Sequence, residues 1–463
     1  MKIEVLNPVV CLTYKDDAQT LIPCLSCRAE YWRKERIPGT KKLRKVRKEY
    51  DKHFFYAKNK DYWYMYCGHL ERIQEYLHGQ GLEPAEIFFS NSVGSFEYQD
   101  FHLNGIKFRP DQLRLMQAAV EDETGIVLSP TGSGKTILQL GIMSAFPNLN
   151  ILLLSHTIGI TSQTVEELGK FGFKDVQQIG GGHQYQGKFG RIVVSTIQSF
   201  HKIDPDDCST YFDIVIVDEA HRVSSLKNTY AEVLHTLMAP IRLGFTATLP
   251  TGEVEQMSLE ALLGPVIGEV TIQEAANLEI LAVPKVKLLK APFSQRVKDT
   301  RKYADVYQIG VVENSARNNL IVRTVLEHSE CGDISLIFVN RIEHGINLQE
   351  EFAYLGTQVP FIRGDMKPQE RQNIRHSLIE KRRKIAIATT AWREGINIPS
   401  LDVIFNAGGG KDELGVLQLI GRGLRRTKDK ERVLIYDIFD ESNNFLISHF
   451  GRRITLYMEN GWM

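Results

Sequence analysis

Ten short runs of β-forming residues constrain what this chain can become. GIVLS (125–129), ILLLS (151–155), IVVST (192–196), IVIVDE (214–219) and RLGFTAT (242–248) alternate with helix-like stretches. SLIFVN (335–340), VPFIRG (359–364), KIAIATT (384–390), DVIFN (402–406) and RVLIYDIFD (432–440) do so again. A strand without a polar face must be covered on both sides, which parallel sheets flanked by helices achieve. Two such series predict two consecutive α/β lobes with a cleft between them. The boundaries fall near residues 104 and 275: an N-terminal region 1–104, a first lobe 105–275 and a second lobe 276–463.

The strand ends carry the chemistry. In DIVIVDEAHRV (213–223) two carboxylates, Asp218 and Glu219, end a greasy strand, and His221 follows. Acids at a strand end often do no more than meet solvent, so the pair needs a partner. LSPTGSGKTILQL (128–140) supplies one. A strand there runs through a glycine-containing loop into a helix start. Gly132 and Gly134 let the loop turn tightly, so the N–H groups of Thr131 to Gly134, Ser133 included, can line an anion site at a helix N-terminus. Lys135 can reach the β- and γ-phosphates of a nucleotide, and the Thr136 hydroxyl can ligate Mg²⁺. The general phosphate-loop pattern wants glycine at position 129, where this chain has Ser129. Asp218 then holds Mg²⁺, directly or through water, and Glu219 orients the water that attacks the γ-phosphate.

The phosphate loop with DEAH (218–221) resembles the superfamily 2 helicases and translocases, and further motifs of that family follow in order through about residue 440. FRPDQ resembles the adenine-reading motif, with Gln112 on the base edge and Arg109 nearby. SHTIGITSQ and VVSTIQSF are similar to the Ia and Ib regions, the latter placing Thr196 on the nucleic-acid track. Thr246-Ala247-Thr248 resembles motif III, which with His221 and Gln418 links the nucleotide site to that track. SLIFVNRIEHG resembles motif IV. IAIATTAWREGINIP resembles motif V and offers Thr389 to the track and Gly395 and Asn397 to the nucleotide; Asn397 stands where many relatives have Asp. QLIGRGLRR resembles motif VI, with Gln418, Gly421, Arg422 and Arg425. The resemblance implies two RecA-like lobes in tandem behind a small α+β accessory domain, with ATP and Mg²⁺ as ligands. It also implies that Arg422 and Arg425 act as arginine fingers, worth ~10³–10⁵ in rate in related phosphoryl-transfer systems.

Composition is silent on the partner, since Lys+Arg and Asp+Glu are both 56, but the distribution is not. Between Arg28 and Lys60 thirteen Lys/Arg meet four Asp/Glu, an excess suited to phosphate contacts. Lys41, Lys42, Arg44, Lys45, Arg47 and Lys48 form its densest part. A hairpin turning at KNKD (58–61) is expected after it, with Tyr62, Trp63, Tyr64 or Tyr66 available to stack on an unpaired base, although most belong to a hairpin core. His449, Arg453 and Tyr457 share one helical face, either a packing face or an ending similar to that of phage and bacterial recombination helicases. Cys24 and Cys27 with Cys67 and His69 would make an unusual zinc set, so zinc is not expected. No run approaches a membrane span, MKIEVLNPVVCL lacks a signal-peptide layout, and six cysteines in 463 residues suit a reducing cytoplasm, bacterial or of a phage-infected cell. No second acidic cluster suggests a nuclease. The expectation is an ATP-driven DNA helicase acting on forks and Holliday-type junctions in replication, recombination or repair. An RNA helicase and an ATP-switched nucleic-acid clamp are the rivals. Nothing in the sequence sets an oligomeric state, and a monomer is compatible with it.

Overall fold

A computed structural model describes residues 1–36, 43–57, 59–90, 96–389, 398, 400–410 and 432–463. It divides into two compact units, Met1–Ser129 with Gly134–Val270, and Pro130–Ser133 with Thr271–Met463.

The first unit holds a parallel sheet, seven-stranded among the described residues. Its order is Val176–Ile179, Ile192–Thr196, Ile151–Ser155, Ile214–Asp218, Ile241–Thr246, Thr124–Leu128, Val266–Glu269. Every residue of Ile151–Ser155, Ile192–Thr196 and Ile241–Thr246 is buried, as strands covered on both faces must be. Even Arg242 is buried there. Its guanidinium donates to the carbonyls of Leu234, Leu237 and Leu262 at 2.8, 3.1 and 2.9 Å, replacing the water it has lost. The sheet order has a functional consequence: Ile241–Thr246 lies between the strand leading to the phosphate loop and the strand ending in Asp218. Register aligns their ends, Thr246 opposite Leu128 and Phe245 opposite Asp218.

The same unit contains the N-terminal region. Its five-stranded sheet runs Phe55–Ala57, Tyr62–Tyr66, Val10–Tyr14, Lys2–Val5, Glu86–Phe89. One face packs on the helix Leu70–Gly79 through Ile3, Cys11, Met65, Ile73 and Leu77. The turn at KNKD is there: Asn59 Oδ1 accepts the N–H groups of Asp61 and Tyr62 at 2.8 and 2.9 Å. Trp63 stacks on Phe55 at 4.6 Å, and Tyr66 packs edge-on against His69, so these two rings serve the fold. The basic segment is itself a strand, Leu43–His53, paired with Ser26–Arg36 in a separate two-stranded hairpin. The base of that hairpin and the turn at 67–69 rest on the first-lobe helix Glu253–Leu263. Cys27 and Phe54 cluster with Met257 and Ala261, and His69 Nε2 donates to Met257 O at 3.0 Å. Gly68 presses so closely that a Cβ there would lie 1.9 Å from Glu260 O.

The second unit carries a six-stranded parallel sheet among the described residues. Its order is Val283–Lys290, Arg432–Phe439, Val403–Asn406, Ser335–Val339, Ile385–Thr389, Phe361–Ile362. The C-terminal helix Asn444–Glu459 starts at an Asn443 cap and buries Arg453 and Tyr457. Arg453 pairs bidentately with the buried Asp437 at 2.7 and 2.9 Å, and Tyr457 Oη donates to the same carboxylate at 2.5 Å. The face shared by His449, Arg453 and Tyr457 is therefore a packing face at its last two positions. Among the described residues no helix is long and apolar enough to cross a membrane.

Candidate functional site

The loop after Thr124–Leu128 is shaped by its glycines. Gly132 and Gly134 take φ of 91° and 101°, which an L side chain rarely adopts, and Gly134 is the N-cap of the helix Lys135–Ala145. Ser133 Oγ donates to Pro130 O at 2.7 Å and closes the turn. Lys135 Nζ donates to Ser129 O at 3.3 Å, so its ammonium stays over the loop. Gln112 is 3% exposed and its amide stands over the same loop: a Cβ on Gly134 would lie 2.9 Å from its Nε2. Its Oε1 accepts from Arg109 N at 3.2 Å, capping the helix Pro110–Asp122, while the Arg109 guanidinium grips Asp111 at 3.0 and 2.9 Å. Thr131 and Thr136 are half-buried in the loop and the first helical turn.

Asp218 stands two strands away and turns toward this loop. Gln139 Nε2, one helical turn after Lys135, donates to Asp218 Oδ1 at 3.1 Å. Burial, reinforced by the charge of Glu219 and partly offset by Lys135, pushes the Asp218 carboxyl up to about 6. A buried, hard oxygen donor whose charge Lys135 compensates only in part fits Mg²⁺ chemistry. Glu219 follows with left-handed backbone, φ 52° and ψ 50°. A polar path then leads away: Glu219 Oε2 lies 3.5 Å from His221 Nδ1, which hydrogen-bonds Thr246 Oγ1 at 2.9 Å. Thr246 Oγ1 donates to Thr248 O at 3.0 Å. His221, Thr246 and Thr248 are thus joined in one path that starts at the acid pair.

Gln139 was not marked by any motif. Its spacing of four from Lys135 puts both on one helical face, the only local signal available. Thr196 is 4% exposed with its hydroxyl on Ser199 Oγ at 2.9 Å. Thr389 is 7% exposed, and its hydroxyl has no partner among the described residues. Lys41, Lys42, Gly395, Asn397, Gln418, Gly421, Arg422 and Arg425 lie outside the described residues, as do the side chains of Arg44 and Lys45. Arg47 is on the hairpin and pairs with Glu30; Lys48 follows it on the same strand. Of the cysteine-histidine set, Cys24 and Cys67 donate to the carbonyls of Leu21 and Asn7 at 3.2 and 3.3 Å, and His69 is held by Met257. Among the described residues no group of three or more His, Cys, Asp or Glu is placed to hold a metal.

A family model described as "Type III restriction enzyme, res subunit" matches residues 97–251, and "Helicase conserved C-terminal domain" matches residues 316–427. The "DNA 3'-5' translocase XPB2" of Sulfurisphaera tokodaii is 25% identical over 382 residues, 75% of this chain and 85% of that protein. The "ATP-dependent DNA helicase uvsW" of enterobacteria phage T4 is 22% identical over 362 residues, 71% of each chain. The solved structure of the ATP-dependent Type ISP restriction-modification enzyme LlaBIII bound to DNA superposes with a TM-score of 0.60 at 16% identity, over 83% of this chain and 32% of that one. That likeness fixes the fold of the two parallel-sheet units as tandem RecA-like lobes. Two helicase-type models on successive stretches, carried by lobes of this fold, place the chain among the superfamily 2 helicases, as an ATP-hydrolysing enzyme of that family.

Proposed function

We propose that this helicase is an ATP-driven DNA motor that remodels branched DNA, forks and Holliday-type junctions, in replication, recombination or repair. The observation that carries the motor reading is the path from Glu219 through His221 to Thr246 and Thr248. In this reading it links the acid that activates the attacking water to the Thr246–Thr248 segment, as coupling hydrolysis to movement requires. DNA as the track is supported by relatives named as a DNA translocase and a DNA helicase. A branched substrate is supported by the basic hairpin, an arm that a simple single-strand motor does not need.

In this reading the loop N–H groups and Lys135 bind the β- and γ-phosphates. Gln112 reads the base, with Arg109 beside it. Thr136 and Asp218 hold Mg²⁺, which supplies charge neutralisation at the phosphates when bound. Gln139 keeps Asp218 aimed at the loop. Glu219 takes a proton from the attacking water. Arg422 and Arg425 neutralise charge that develops on the transferred phosphoryl group, Gly395 and Asn397 contact the nucleotide, and Gln418 reports on it. Thr196, Thr389 and the cations from Lys41 to Lys48 contact DNA. The test is ATPase and strand-displacement assays across single-stranded, duplex, forked and four-way DNA, with matched RNA. Stimulation that is greatest on forked or four-way DNA is expected. Stimulation by RNA alone replaces DNA with RNA as the track, and ATP-dependent binding without strand displacement reduces the motor to a clamp.

A further inference from the structure

Two segments of the second unit lie outside both family models, residues 293–313 and the C-terminal helix Asn444–Glu459. They follow the carboxyl ends of neighbouring strands, Val283–Lys290 at the sheet edge and Arg432–Phe439 beside it. They pack together into a satellite with its own small core of Val297, Val306, Tyr307, Val311, Val312 and Leu446. Asn443 Nδ2 donates to the carbonyls of Val297 and Thr300 at 3.0 Å each, and Ser294 N donates to Ser442 Oγ at 3.0 Å. The satellite is a built feature with a fixed outer surface.

That surface combines rings and cations. Phe293, Tyr303 and Phe445 are 52%, 39% and 41% exposed. The Tyr303 ring lies 5.7 Å from Phe445 and 5.0 Å from His449, which braces it while leaving part of the ring toward solvent. In the same stretch Arg296, Lys298, Arg301 and Lys302 are all exposed, against Asp299, Asp305 and Glu313. Lys298 leans over the Phe293 ring at 6.0 Å. Arg341, from the start of the helix after Ser335–Val339, lies over the Tyr307 ring at 4.8 Å and extends the basic rim.

Exposed aromatic rings lose free energy to water, and a domain with room for a core seldom clusters them beside cations without use. Rings that can stack, next to charges that can meet phosphates, are what an unpaired strand recognises: every base has a π-face, and each phosphate has a charge. The position suits it too, since ligands of parallel sheets approach the carboxyl ends of the strands. We infer that the satellite of residues 293–313 and the C-terminal helix binds an unpaired nucleic-acid strand, with Tyr303 and Phe445 against bases and Arg296, Arg301 and Lys302 on phosphates. The inference rests on the motor reading above and adds a strand contact outside the helicase motifs.

The full-length protein tests it, with binding of fluorescent oligo-dT, the RNA counterpart and a blunt duplex measured by anisotropy over a salt series. Tyr303→Ala with Phe445→Ala weakens single-strand binding on the order of tenfold or more, because each stacked base contributes strongly. Tyr303→Phe, with Phe445 intact, keeps affinity, which separates stacking from a hydroxyl contact. Arg296→Gln, Arg301→Gln and Lys302→Gln together flatten the slope of log affinity against log salt by about 2, at ~0.7 per phosphate contact on single strands. ATPase without nucleic acid stays at the wild-type level in each variant, and so does the melting temperature to within a few degrees. Equal weakening on DNA and RNA strands supports the inference, and so does weakening on DNA alone. Wild-type single-strand affinity in the ring and charge variants overturns it while leaving the motor intact. Equal loss on blunt duplex also overturns it, showing charge without base stacking. A wild-type protein whose ATPase ignores every nucleic acid overturns the motor reading first, and the strand contact with it.

Discussion

Glu219 takes a left-handed backbone, φ 52° and ψ 50°, that costs a residue with a side chain ~1–2 kcal/mol. The rigid sheet end holds it there and turns its carboxylate away from the strand direction, toward His221. Neighbouring acids thereby face different tasks: Asp218 points back at Gln139 and Lys135, while Glu219 points along the path to Thr246. Glu219→Gln keeps the volume and the backbone but cannot accept a proton. It is expected to bind Mg·ATP within a few-fold of wild type and to lose ~10²–10⁴ in turnover, trapping the protein on DNA. Equilibrium nucleotide binding beside single-turnover hydrolysis checks it, and lost binding would mean the two acids have exchanged roles. Lys135→Ala removes the phosphate cation and not the track. Turnover is expected to fall ~10²-fold or more with DNA affinity unchanged in filter binding; wild-type turnover would remove the nucleotide site from this loop. The phosphate loop, Asp218 and Glu219 are legible in the sequence because each is a local pattern at a strand end. Gln139 is not, because its partner lies 79 residues away, and only the strand order brings the two together.

At the scale of elements, the helix Glu253–Leu263 is where the accessory sheet, the basic hairpin and the first lobe meet. Arg72 adds a bidentate ion pair to Glu260, at 2.7 and 2.5 Å. His69 is fully buried, with Nε2 donating to Met257 O and Nδ1 without a partner among the described residues, so the neutral ring is the one that fits. Burial lowers its pKa to about 4 from an ordinary 6.5. The folded state therefore binds fewer protons than the unfolded one between these values. Stability from the neutral ring is complete above pH 6.5 and is lost as pH falls toward about 4, up to ~3 kcal/mol. Melting curves at pH 7 and pH 4.5 are expected to show a larger acid loss in wild type than in His69→Asn; equal losses would mean the ring is solvated. The ten apolar runs became strands because burial on two faces leaves a continuous signal. Val176–Ile179, Val266–Glu269 and Val283–Lys290 left none: they are edge strands, each with exposed or half-exposed positions, and VQQI or VIGE reads like a loop. The partner of the basic strand, SCRAEYWRKER, likewise lacks a pattern that would mark it as a strand.

In the proposed reading the whole molecule is a motor with an arm, and the arm sets what the motor acts on. Separating duplex costs ~1.4 kcal/mol of stacking per base-pair step on average. Moving a branch point breaks one pair and forms another, so the net cost is near zero, and a motor that keeps hold of the junction needs only to bias a balanced exchange. The hairpin Ser26–Arg36 with Leu43–His53 has the charge for such a hold. Its register sets Lys45 opposite Lys34 and Arg47 opposite Trp32, and the run of Lys and Arg along one strand suits a phosphate backbone. Replacing Lys41, Lys42, Arg44, Lys45, Arg47 and Lys48 with uncharged residues is therefore expected to weaken binding to four-way DNA and to flatten its salt dependence, by ~0.9 in slope for each duplex phosphate lost. Fork regression and junction migration should fall further than ATPase on saturating single-stranded DNA, because the nucleotide site and its path through Thr246 are untouched. Both activities are measured in the same variant protein. Equal loss of both makes the hairpin a support for the fold or for general affinity, and loss of neither makes it a solvated basic face; only the unequal result assigns the arm to the junction.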